Sequence, residues 1–192
     1  MLILLSILLL EEYKYIIITK FSLLRYASAN GPAAKLIMNI NRELEYLISE
    51  IPIFNELDSE DTRVLSQYLF PKDLQMGGLV CKEGQHGSFL SFVVSGKLEI
   101  VKTLDDKEII ISTITEGDSL GEMALIDGLT RSATVRACKA STILILRRDD
   151  FNTLLSKHPE VGIKILKGIA RLLSLNLRKA SAQLTTYMTL TQ

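Results

Sequence analysis

EGDSLGEMALIDGLTRSATVRA, Glu116 to Ala137, is the stretch on which the reading of this chain turns. Gly117 and Gly121 permit backbone geometry closed to other residues. EMALI is about one turn of good helix formers, and Asp127-Gly128 ends it. Arg131 follows, just before a segment that reads as a strand. A short helix with small residues at its start presents free N–H groups and a positive dipole end, the ingredients of an anion site. Arg131 adds a fixed charge whose fork fits phosphate. Glu122 is an acceptor beside that site. A carboxylate there repels phosphate, so its fitting partner is a neutral donor such as a sugar hydroxyl.

The chain around this stretch has the period of β structure. From Gly77 to Leu146 the apolar runs LVC, FLSFVV, KLEIVK, EIIISTI, ATVRACKA and TILIL are separated by EGQHG, SG, LDD and EGDSLG. Several short strands divided by turn residues mean a sandwich or a barrel. No βαβ alternation is present, so a doubly wound sheet is excluded. The fold class is mainly β with flanking helices.

The flanks are helical. Asp58 is placed to cap a helix from about Ser59 to Leu69, with Glu60 and Asp61 in its first turn and Pro71 beyond its end. Asp149-Asp150 is expected to cap a short helix beginning with Phe151. Pro159 then starts a longer one running to about Leu184. Leu166, Ala170, Leu173, Leu177, Ala180 and Leu184 form a seam of coiled-coil spacing, widened by Ile165, Ile169 and Leu172. That is more apolar surface than one contact uses. The helix is expected to cover the barrel mouth and, through Leu166, Leu173 and Leu177, to meet a second copy.

Residues 1–50 read as a helical N-terminal extension broken at Gly31-Pro32. Ala33, Ile37, Ile40, Leu44, Leu47 and Ile51 mark the apolar face of its second half. The main domain is expected over 51–184, with a tail at 185–192. MLILLSILLL is an apolar run of half the ~20 residues that a spanning helix needs, and no basic region precedes it. Its reading stays open between a partner-packed helix, a membrane or interfacial anchor and a targeting segment. The expected location is the cytoplasm, with membrane association through the N-terminus as the open alternative.

Composition removes other classes. The 192 residues carry 22 basic and 22 acidic side chains, so net charge argues neither for nor against nucleic acid. Cys81, Cys138, His86 and His158 are too few and too scattered for a zinc cluster, so no metal is expected. The cysteines read as small hydrophobes in a reduced compartment. His86 reads as a hairpin-loop residue, His158 as a helix-junction residue and Arg136 as a solvent-facing strand residue. No nucleophile elbow, Walker loop, HExxH or dinucleotide fingerprint occurs, so the chain is not expected to be an enzyme. Lys164, Lys167, Arg171, Arg178 and Lys179 read as a solvated helix face. A helix-turn-helix would need two more helices, and about eight residues follow Leu184, so nucleic acid is not an expected partner.

The central stretch also resembles a known family. Leu120-Gly121-Glu122-Met123-Ala124-Leu125-Ile126, followed by Arg131-Ser132-Ala133-Thr134, resembles the phosphate-binding cassette of cyclic-nucleotide-binding domains, of pattern F-G-E-x-A-L-x and then R-[ST/A]-A. The likeness extends from about Ile51 to Leu177. KEGQHGSFLSFVVSGKLEI resembles the family hairpin E-G-x-x-G-x-x-x-Y-F-I-x-x-G. Ile53-Phe54, Phe151 and His158-Pro159 also fit. The resemblance implies a double-stranded β-helix (jelly-roll) barrel that binds cAMP or cGMP and needs no cofactor. It implies that Arg131 pairs with the cyclic phosphate, helped by Ser132, Ala133 and the amides near Ala124 and Leu125. Glu122 would accept from the ribose 2′-hydroxyl, and Gly121 would let the backbone pass close to the sugar. Val80, Leu98 and Met123 would wall the base, and Asn176 would face it from the C-terminal helix. Leu120 stands where the family has an aromatic, and Gln85 and Ser88 stand where it often has acids. Ser132 after the arginine occurs in binders of either nucleotide, and cAMP is the expected ligand over cGMP. Two alternatives remain: a ligand-independent protein-interaction barrel, or a truncated relative of a catabolite-activator-type regulator without its DNA-binding module.

Overall fold

A computed structural model describes residues 44–190. The expectations for MLILLSILLL, for the Gly31-Pro32 break and for most of the helix after it lie outside the described residues. Residues 44–49 are helical and bury Leu44 and Ile48. A single 3-10 turn, Pro52–Phe54, follows and buries Ile53 and Phe54.

Helix α1 spans Ser59–Ser66. Asp58 caps it as expected: its Oδ1 accepts from the amides of Glu60 and Asp61 at 2.9 Å each, and Asp61 Oδ2 accepts from the Asp58 amide at 3.1 Å. This reciprocal arrangement satisfies three backbone donors at the helix start. The helix stops at Ser66 rather than Leu69 because the next residues form a strand that sequence reading did not anticipate, β1 (Leu69–Leu74). Pro71 is tolerated there because, among the described strands, β1 lies at the edge and pairs with β8 alone.

The remaining elements are β2 (Leu79–Cys81), β3 (Phe89–Ser95), β4 (Lys97–Leu104), β5 (Lys107–Thr115), β6 (Ser119–Leu120), α2 (Glu122–Asp127), β7 (Thr134–Ala137), β8 (Ser141–Arg147), α3 (Arg148–Lys157) and α4 (Pro159–Leu190). The strands form two antiparallel four-stranded sheets, ordered β1-β8-β3-β6 and β2-β7-β4-β5. This is the expected jelly-roll architecture with flanking helices. The β4–β5 hairpin turns on Asp105 and Asp106, both in the left-handed region at φ 48° and 59°, as a two-residue turn matched to strand twist requires.

The first sheet is covered on both faces. Leu90, Phe92, Leu144 and Leu146 point toward the helices, where they pack with Phe54, Phe151, Leu154, Ile165 and Ile169. Val93 and Ile143, one residue out of phase, point into a second core with Leu98, Ile114 and Ala137 of the other sheet. That double burial explains why FLSFVV and TILIL are unbroken apolar runs. The second sheet has a wet outer face: β7 alternates between buried and part-exposed residues, whereas β5 is exposed at every residue but Ile114. Phe54 and Phe92 tie the 3-10 turn to the barrel with ring centroids 4.7 Å apart at 54°.

Helix α3 begins at Arg148, three residues before its expected start, and α4 continues to Leu190. The buried stripe of α4 is Val161, Ile165, Gly168 and Ile169. At Gly168 the helix crosses the Ile53 carbonyl so closely that a Cβ would overlap it. Lys164 pairs with Asp61, and Arg171 pairs with Glu56, on either side of this crossing. The expected seam therefore divides. Leu166 and Leu173 pack on this chain's own core, whereas Leu177 and Leu184 are exposed. Among the described residues, no helix is long and apolar enough to cross a membrane.

Candidate ligand-binding site

Segments distant in sequence converge on one open cavity of about 600 Å³. Residues 117–124 form one side and residues 129–133 another. Ser112–Ile114 of β5, the 3-10 turn, and Leu172, Asn176 and Lys179 of α4 complete the wall. The α4 residues recur at four- and three-residue steps, so one helix face overlooks the cavity.

Gly121 shapes the polar end. Its φ of 89° turns the chain from β6 into α2. A Cβ there would overlap Arg131 Nη1 and lie 2.9 Å from the Phe89 carbonyl oxygen. Glycine is thus required for torsion and for space. The Leu125 amide donates to Gly121 O at 3.1 Å, closing the first turn of α2. The amides of Glu122, Met123 and Ala124 precede that bond and stand at the positive end of the helix.

Arg131 is only 6% exposed. Its Nη2 donates to Phe89 O at 2.7 Å, and its guanidinium lies 4.3 Å from the Phe89 ring centroid. Its Nε and Nη1 are buried and have no acceptor among the described residues. No carboxylate pairs with it among the described residues. Burial lowers the proton affinity of the guanidinium, while Cys81 and Glu122 raise it and Arg148 lowers it further. A buried cation without a counter-charge carries a penalty of several kcal/mol. An anion in the cavity would relieve it.

The backbone holding Arg131 is fixed from both sides. Its amide donates to Gln85 O at 2.7 Å, and its carbonyl accepts from Gly84 N at 2.8 Å. Lys102 Nζ donates to Ser132 O at 2.7 Å and pairs with Glu83. The EGQHG loop is therefore laced to the Arg131 segment although Gln85 and Ser88 are not acids. Gln85 Oε1 closes its own loop by accepting from Lys82 N at 3.1 Å, and Ser88 O accepts from Arg148 N at 2.8 Å.

Gly121, Glu122, Met123, Ala124, Arg131, Ser132, Ala133 and Asn176 all line the cavity. Three expected residues do not. The Leu125 amide is spent on Gly121 O, and its side chain is in the first core. Val80 and Leu98 are buried in the second core. Leu98 shares a strand face with Ile100 but is fully buried, whereas Ile100 reaches the cavity. Next to Val80, Cys81 lines the wall; burial pushes its thiol pKa up, and its Sγ lies 3.9 Å from Ala133 O. Sequence reasoning missed Cys81, Ile100, Ile114, Leu172 and Lys179. The signals were strand parity around Leu98 and helical spacing around Asn176. Among the described residues, no group of three His, Cys, Asp or Glu side chains is placed to hold a metal ion.

This geometry has counterparts. Residues 71–158 match the profile of the family described as "Cyclic nucleotide-binding domain". A cyclic nucleotide-gated potassium channel of Rhizobium etli is 32% identical over 121 residues, 63% of this chain and 33% of the channel. A cAMP-dependent protein kinase regulatory subunit of Yarrowia lipolytica is 32% identical over 108 residues, 56% of this chain and 28% of that subunit. The chain thus spans about a third of the length of each. Among solved structures, a cyclic nucleotide-binding domain from Methylobacillus flagellatus superposes with a TM-score of 0.69 at 25% identity, covering 78% of this chain and 84% of that one.

Proposed function

The barrel of this chain belongs to the cyclic nucleotide-binding domain family, and from that premise we propose that the chain is a cyclic nucleotide sensor that acts by binding and not by catalysis. The observation that carries the reading is Arg131: buried, with no carboxylate bonded to it and two of its nitrogens unpartnered among the described residues, on the wall of a cavity that also holds the start of α2.

The cyclic phosphate sits against Arg131, with the amides of Met123 and Ala124 and the Ser132–Ala133 segment as further donors. Glu122, on the same cavity wall, accepts from the ribose 2′-hydroxyl. The base extends toward Ile100, Ile114 and Leu172, with Met123 and Asn176 at the rim, and α4 closes over it as a lid. The preferred nucleotide is cAMP over cGMP. Occupancy can move α4 only by as much as the ligand's affinities for its two positions differ. Free Cys81 and Cys138 fit the reduced environment of the cytoplasm.

Calorimetric titration of the chain with cAMP and cGMP, beside the Arg131→Ala variant, tests this. Micromolar or tighter binding that the variant loses is the expected result, and the ratio of the two affinities identifies the nucleotide. Absence of binding at millimolar concentration sinks the sensor and leaves a protein-interaction barrel.

A further inference from the structure

Helix α2 is six residues long, too short to hold its own direction. Its closing bonds are Leu125 N to Gly121 O and Gly128 N to Ala124 O. Its orientation nevertheless decides where the amides of Glu122, Met123 and Ala124 point. Something outside the helix has to set it.

Arg148 is placed to do so. It is the first residue of α3 and does not line the cavity. Its Nη2 donates to the Ala124 carbonyl on α2 and to Gly87 O, at 3.0 Å, on the loop beneath. Its backbone amide donates to Ser88 O at 2.8 Å. The guanidinium fills the space under Gly128, where a Cβ would come within 2.5 Å of Nη1. The loop itself lies hard against α2, since a Cβ on Gly87 would overlap that of Ala124. One side chain thus joins α2, the EGQHG loop and the head of α3. Its charge also complements the carbonyl end of α2.

We propose that Arg148 is the positioning residue of the anion site: it sets the tilt of α2, and hence the aim of its first amides, without touching the ligand. The proposal rests on the cyclic nucleotide reading for its ligand and on geometry alone for its effect on α2. Lysine keeps the charge but loses the planar fork that bridges two carbonyls. A positional role is therefore not rescued by Arg148→Lys, whereas a purely electrostatic role is.

The experiment titrates the full chain with cAMP and cGMP as wild type, Arg148→Lys and Arg148→Met, and records amide resonances of the ligand-free forms. Thermal melts accompany each. The expected result is a weakening of about tenfold or more in both variants, the size of losing hydrogen bonds from a charged donor. Amide shifts should be concentrated at Glu122, Met123 and Ala124, with those of β1 unmoved. Wild-type affinity in Arg148→Met, rescue by Arg148→Lys, or unmoved α2 resonances would overturn the proposal. A wild type that binds neither nucleotide fails the sensor reading by itself, and the α2 resonances then decide alone whether Arg148 sets the helix.

Discussion

Arg131 and Arg136 are five residues apart and live under opposite rules. Arg136 lies on the outer face of the second sheet. Its Nε meets Glu99 at 2.5 Å and its Nη1 meets Glu108 at 2.7 Å. Those hydrogen bonds, to Glu99 first and then Glu108, raise its pKa. Arg131 is buried with no carboxylate partner among the described residues, and burial lowers its proton affinity. A surface charge with two partners is fully accounted for by the fold. Arg131, which lines the cavity with Nε and Nη1 unsatisfied among the described residues, has donors to spare for a ligand. The contrast teaches more than either residue: the number of arginines near a site means little, and the number left unsatisfied means much.

The contrast can be broken by mutation. Arg131→Ala should cost the most, about two to three and a half decades of nucleotide affinity by calorimetry, following the ~3–5 kcal/mol of a broken buried pair. Comparable binding in this variant would mean that the unpartnered nitrogens serve no anion. Gly121→Ala comes next. The positive φ costs the fold ~1–2 kcal/mol in thermal or denaturant melts, and the displaced Arg131 guanidinium should lower affinity by more than about tenfold. Glu122→Ala should weaken binding about tenfold, because it removes hydrogen bonds to an uncharged hydroxyl. Its loss should be the same for any nucleotide with a 2′-hydroxyl and absent for the 2′-deoxy analogue. Arg136→Ala should leave affinity within error and change the thermal midpoint only slightly, since exposed pairs contribute little.

The smallest effect belongs to the surface pairs at α4. The hydrogen bond from Arg171 holds the Glu56 carboxyl below its usual range, and backbone donors from Asp61 and Glu60 do the same for Asp58. Depressed carboxylates stabilise the fold above their unfolded pKa, and that contribution fades as pH falls through the folded value. Denaturant midpoints should therefore drop slightly below about pH 4, and Glu56→Gln should shrink the drop.

Much of this was legible in the residues. The cassette carried its helix, its two glycines and its arginine in local order, and local order is what periodicity reads. The capped start of α1 was equally visible in Asp58, Glu60 and Asp61. Three things were not. β1 hid behind Pro71, a residue that argues against strands until the strand is known to lie at an edge. Val80 and Leu98 were placed on the cavity wall because apolar strand residues look alike. Which of them faces ligand and which faces core depends on the opposing sheet. The seam of α4 read as one stripe, yet contact with the 3-10 turn divides it after Leu173. Arg148 was invisible for a similar reason: its partners, Gly87 and Ala124, are backbone carbonyls brought near only by folding.

The close crossing at Gly168 has a mechanical consequence. Helix α4 has 32 residues, and its deepest anchorage lies near its tenth. The ~22 residues beyond extend about 33 Å at the α-helical rise, so a tilt of about 5° at the crossing swings the far end by about 3 Å. The barrel side of that fulcrum is short and packed, and the far side is long and carries Leu177, Leu184 and Leu190. Motion too small to disturb the core at Ile165 and Ile169 is thereby multiplied along the distal two-thirds of the helix.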